Sequence, residues 1–160
     1  MKGRQRAQRA VRAAVPADLT CACATARQVS RVLTHLYDGR LRRAGMEAPQ
    51  FALMMTIEAH GPSSQATIGR AYALDKTTLS RNLRLLERKG WIASLAAHDR
   101  RERQFMLTGA GRTRLAAAKP EWKKAQDQLR SAMTAAQWDA MFDAFRIVTR
   151  AARRAQEARR

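Results

Sequence analysis

The chain has 160 residues, enough for one domain with helical extensions, and its 46% of hydrophobic residues suffices for a core. Lys and Arg number 31 against 13 Asp and Glu, a formal charge of +18 that favours polyanions: DNA, RNA or an anionic membrane surface. No apolar run is long enough to span a bilayer, and an aromatic content of 6% argues against a single-strand binder that stacks bases on aromatic platforms.

Residues 1–17 read as a basic disordered arm, rich in Arg and without an acid before Asp18. The stretch imitates an organelle transit peptide, but it has no apolar segment and so is not a secretory signal. Cys21 and Cys23 are one residue apart, which is no disulfide framework, and a reducing cytoplasm is the expected compartment. A metal-thiolate site there would have only two local ligands and no His at ligand spacing. From Leu19 to about Arg43, Val29, Val32, Leu33, Leu36, Tyr37 and Leu41 recur at helical spacing and predict a first helix stopped near Gly45. Pro49 opens a second helix through Phe51, Leu53, Met54 and Ile57, ending at Gly61-Pro62. Ser63 or Ser64 caps a third, short helix that turns Ile68 and Tyr72 inward.

The stretch Leu74–Thr108 is the most informative. Leu79, Leu83 and Leu86 fall at i, i+4, i+7, one stripe of a helix, while Thr77, Arg81, Arg84 and Arg88 point the other way. Asp75 stands as N-cap and Gly90 where a left-handed C-terminal residue belongs. Two apolar-rich runs, Trp91–Leu95 and Arg103–Leu107, flank a charged tip around His98, Asp99, Arg100, Arg101 and Glu102, which reads as strand, turn and strand. Between Lys76 and Arg103 stand 8 Lys or Arg against 3 acids. A short helix, a turn and a second, basic helix is a DNA-binding signature. Thr108 then caps a long helix in which Pro120 predicts a kink or brief break, and Thr134–Gln137 opens a last helix with Trp138, Met141, Phe142, Phe145 and Val148 on one side.

The fold expected is mainly α with a small β-hairpin wing. Residues 18–46 form an N-terminal dimerisation helix, 47–107 a winged helix-turn-helix and 108–160 the C-terminal dimerisation helices. The terminal helices have apolar stripes to bury, and packing on each other and on a second copy is the simplest solution. An enzyme finds no support: there is no Gly-rich phosphate loop, no paired carboxylates and no Cys–His constellation, and no cofactor is implied. A non-specific architectural protein would explain the charge, but not the ordered helix and wing.

In this order the motifs resemble the MarR family of winged-helix transcriptional regulators: Tyr37-Asp38, Pro49-Gln50-Phe51, Thr77-Thr78-Leu79-Ser80-Arg81, Leu86–Ile92, Asp99-Arg100-Arg101 and Leu107–Gly111, together spanning about Thr20 to Val148. The resemblance implies a homodimeric regulator, commonly a repressor, on a pseudo-palindromic operator. Recognition helices would enter successive major grooves with wings in the minor grooves. It places Thr77, Thr78 and Arg81 at base or phosphate contacts, with Arg81 or Arg84 forking onto guanine. Ser64, Lys76, Ser80, Arg100 and Arg103 join the DNA-contacting set, while Asp99 orients Arg101 in the minor groove.

Family members commonly answer to a phenolic or aromatic-acid ligand held between the dimer helices and the winged module. Arg31, His35, Met54 and His60 are the candidates here, Arg for a carboxylate and Met for a ring. A second reading is peroxide sensing. Cys23 precedes Tyr37 by 14 residues, the spacing of a reactive Cys and its Tyr in the peroxide-sensing branch, whose other tyrosines are replaced here by Arg27 and Ala48.

Overall fold

The computed structural model describes residues 21–72, 74–96 and 103–158. Helix α1 spans Ala22–Leu41 and runs into a 3-10 turn, Arg42–Ala44, closed by Gly45 at φ 66°. Helix α2 covers Ala48–His60, strand β1 Ser63–Ser64, helix α3 Gln65–Tyr72 and helix α4 Lys76–Arg88. Strands β2 (Ile92–Ala96) and β3 (Arg103–Leu107) form the wing, followed by α5 (Gly109–Ser131) and α6 (Ala135–Glu157). The molecule is therefore mainly helical with a small antiparallel sheet, as the sequence predicts.

The winged module closes around one core. Leu79, Leu83 and Leu86 of α4 are buried against Met54 and Ile57 of α2, Ile68 of α3, Phe105 of β3 and Leu115 of α5. Each fully buried side chain of this size stabilises the fold by about 1.5–3 kcal/mol. Caps place the helices. Asp38, buried near the end of α1, accepts from the Ala48 backbone N–H at 2.7 Å and so fixes the corner into α2. A capping box between Glu47 and Gln50 closes the same helix start. Thr108 and Thr134 cap α5 and α6 by accepting from Gly111 N at 2.9 Å and Gln137 N at 3.2 Å.

Three expectations are corrected. The sheet has three strands, in the order β1-β3-β2, because Ser63 and Ser64 pair with Phe105 and Gln104. Pro120 does not break α5, which continues through it. Proline removes one N–H, here opposite the exposed Ala116, whose carbonyl water can satisfy. Tyr72 is not a core residue. It is 37% exposed and its hydroxyl donates to the Ala52 carbonyl at 2.5 Å.

The outer helices are less covered than the module they flank. Leu41 and Asp38 are the buried residues of α1, and α6 buries none. Phe142, Phe145, Ile147 and Val148 of α6 are 39–58% exposed, and Val32 of α1 is 62% exposed. Between α1, α2, α6 and the end of α3 lies an apolar groove of about 960 Å³.

Candidate nucleic-acid interface

The recognition helix is built from its cap outward. Asp75 Oδ1 accepts from the Thr78 backbone N–H at 2.8 Å, and Oδ2 from the Thr78 hydroxyl at 2.6 Å. These bonds to the charged form hold the Asp75 carboxyl below the usual aspartate range. With the leucine stripe buried, Lys76, Thr77, Thr78, Arg81, Arg84 and Arg88 all lie exposed. Among the described residues no acid lies within ion-pair distance of Lys76, Arg81 or Arg84. A helix packed on its apolar side, with uncompensated guanidinium groups and hydroxyls on the other, has the chemistry that base edges and phosphates require.

Beside α4 the wing is braced to it. Arg103 Nη2 donates to Glu87 Oε1 at 2.8 Å and to Ser94 Oγ at 2.7 Å, with its guanidinium over the Phe105 ring. Arg103, expected to serve a phosphate, thus joins the recognition helix to both wing strands. Strands β2 and β3 pair from Ile92↔Leu107 out to Ala96↔Arg103. The expected tip contacts Asp99, Arg100 and Arg101 lie outside the described residues.

In front of the helix N-terminus, α3, α4 and β3 enclose a cleft of about 600 Å³ lined, among the described residues, by Ser64, Gln65, Arg70, Lys76 and Arg103 and by no acid. Ser64 is partly spent on capping, since its hydroxyl oxygen accepts from Thr67 N at 3.2 Å. Ser80 is half-buried. Gln65 and Arg70 escaped the sequence reading. Gln65 reaches across the turn to donate to the Lys76 carbonyl at 3.3 Å, and only the folded helix pair brings Arg70 alongside Lys76.

The proposed effector residues are not brought together. Met54 is fully buried in the core. Arg31 and His35 are exposed on α1, and His60, at the end of α2, has Nδ1 2.9 Å from the Thr56 carbonyl. The apolar groove is lined instead by Val29, Leu33, Tyr37, Ala52, Phe145 and Val148, among others. Nor does one chain pair Cys23 with Tyr37. Both stand on α1, about 21 Å apart along its axis. The Tyr37 hydroxyl donates to Gln126 Oε1 of α5, and burial raises its pKa. Both thiols are exposed, with Cys21 at the N-cap and Cys23 in the first turn of α1.

A family model described as "MarR family" matches residues 44–102, which include α2, α3, α4 and strand β2. The MosR transcriptional regulator of M. tuberculosis, solved in complex with DNA, is 29% identical with a TM-score of 0.76, over 83% of this chain and 96% of that one. Over residues 44–102 the chain is similar to the MarR family. Members are transcriptional regulators, not enzymes. The PcaV transcriptional regulator of Streptomyces coelicolor, solved with its natural ligand, shares the fold at 22% identity and TM-score 0.76, over 86% of this chain and 99% of that one. The HTH-type transcriptional regulator YwoH of Bacillus subtilis is 25% identical over 81 residues, and the chain spans 59% of that relative's length. No helix among the described residues is long and apolar enough to cross a membrane.

Proposed function

We propose that this chain is a MarR-family, sequence-specific regulator of transcription, acting as a repressor on a pseudo-palindromic operator. The observation that carries the reading is α4: one face buried in the core, and the other presenting Lys76, Thr77, Thr78, Arg81 and Arg84 to solvent, with no acid among the described residues at ion-pair distance of its Lys76, Arg81 or Arg84. Arg81 and Arg84 read bases, Lys76 and Ser80 position the helix on phosphates, and the wing with Asp99 and Arg101 follows the adjacent minor groove. The DNA complex of MosR supports the partner class.

The exposed apolar stripes of α1 and α6 support a homodimer, because a second copy of the same stripes would cover them. Two recognition helices related by a two-fold axis then meet two half-sites. The groove between α1, α2 and α6 supports release by a small aromatic or phenolic effector. Its walls are largely apolar, with the Tyr37 and Thr34 hydroxyls among the few polar groups.

Binding is tested by fluorescence anisotropy on duplexes tiled across the gene's own upstream DNA and on shuffled duplexes of equal composition. Preference of at least about 1000-fold for one duplex is expected of a site-specific regulator. Equal affinity for all of them overturns the reading and leaves a non-specific architectural protein. Exposure of both thiols favours one second reading, release by oxidation of Cys23. Loss of binding in peroxide, restored by a thiol reductant and absent from Cys23→Ser, is its signature. Binding indifferent to peroxide removes it.

A further inference from the structure

The recognition helix accounts for only part of the charge. Another concentration lies on the C-terminal half of α6, where Arg146, Arg150, Arg153 and Arg154 recur at i, i+4, i+7 and i+8 and form one stripe. Phe145, Val148 and Ala152 form a second stripe about two fifths of a turn away, so a surface seated on the centre of the apolar stripe can leave the arginines in solvent. All four arginines are exposed. Asp143 pairs with Arg146 at 2.6 Å. Glu157 shares the stripe, yet among the described residues no acid lies within ion-pair distance of Arg150, Arg153 or Arg154.

The direction of the stripe is fixed by a contact far apart in sequence. Arg153 Nη2 donates to the Arg70 carbonyl, at the end of α3, at 3.4 Å. Arg70 is itself exposed and lines the same cleft as Lys76 in the first turn of the recognition helix. The cations of α6 thus lead through Arg70 to the cleft at the N-terminus of α4, where the capping Asp75 is the described acid, and adjoin the surface assigned to DNA.

We propose that this arginine stripe is a second contact to the DNA backbone, touching phosphates beside those held by the winged module. It rests on the DNA-binding reading above and adds affinity and footprint length without adding sequence discrimination.

The test uses the full-length chain and the triple variant Arg150→Gln, Arg153→Gln, Arg154→Gln, titrated with mixed-sequence duplexes of about 40 and about 15 base pairs over a range of salt. The expected result is a plot of log K against log salt shallower by about 1–3 per protomer for the long duplex, since each phosphate contact contributes about 0.9. The short duplex should show a smaller change. Thermal unfolding should match the parent, and the single variants Arg150→Gln and Arg154→Gln, at side chains that form no ion pair among the described residues, give the same direction should the triple variant misfold. Equal slopes for parent and variants overturn the proposal while leaving the winged-module reading intact. A parent that binds neither duplex overturns both. Arginine-dependent binding to vesicles containing phosphatidylserine, with DNA slopes unchanged, assigns the stripe to a membrane surface and overturns it as well.

Discussion

Gly111 stands in the first turn of α5 where that helix meets the root of the wing. A Cβ built there falls 1.8 Å from the Trp91 carbonyl oxygen and 2.8 Å from its carbon, both backbone atoms that no rotamer change can clear. Gly111→Ala must therefore push the start of α5 off the strand. The motion costs about 1–3 kcal/mol as overpacking, here at the upper end because the obstacle is main chain. It also strains two hydrogen bonds at the same junction, Thr108 N to Trp91 O at 3.1 Å and Thr108 Oγ1 to Gly90 O at 2.6 Å. At about 1 kcal/mol each, less about 1 kcal/mol for alanine's better helix propensity, the net loss is roughly 3–4 kcal/mol. For a chain of this size that is a fall in Tm of about 8–15 °C. Gly39→Ala is the internal control. It lies within α1, where a Cβ meets nothing within 4 Å, and should gain about 0.5–1 kcal/mol. Both are read by circular dichroism melts. A Gly111→Ala protein melting like its parent would refute the claim that this junction is pinned.

Arg81→Ala should cut discrimination between the preferred and shuffled duplexes by about 1–3 kcal/mol, or roughly 5- to 150-fold in relative Kd, with little change in Tm. Undiminished discrimination by anisotropy would remove Arg81 from base reading. Asp75→Ala should melt earlier than the parent at neutral pH, because the folded carboxyl is held below its ordinary value by Thr78. A depressed carboxyl contributes stability above its unfolded pKa and loses it as pH falls through the folded one. The two melting curves should therefore converge in acid, and a gap that persists there would contradict the cap. Replacing Phe145 and Val148 together by Ser should convert a dimer at micromolar concentration into a monomer in sedimentation velocity, and an unaltered dimer would place the interface elsewhere.

Legibility followed periodicity. The leucines of α4 repeat at a spacing only a helix uses and lie beside a cap and a stop glycine, so their burial could be read from the chain. Strand β1 could not. Two serines carry no hydrophobic alternation, and their strand character comes from pairing with Phe105 and Gln104, 40 or so positions on. No break appears at Pro120 because the rule concerns a lost hydrogen bond, and on an exposed flank water can supply the partner. The residues that line the groove were missed for a different reason. Its walls come from α1, α2, α3 and α6, and a stripe such as Val29-Leu33-Tyr37 looks alike whether it faces a core or a cavity. Met54 shows the converse: its position at the centre of α2 sends it into the core rather than towards a ligand.

The pinned junction at Gly111 also gives α5 a mechanical character. Its 23 residues make a rod about 35 Å long whose near end is clamped at Trp91 and Gly90 and whose far end, at Ser131, leads into α6. Tilting this rod by about 5° about the clamp carries Ser131 through about 3 Å while the wing root shifts by a fraction of an ångström. The geometry is a reduction gear for tilt. Rotation of α5 about its own axis is not reduced at all, and reaches Trp91 and strand β2 at full angle.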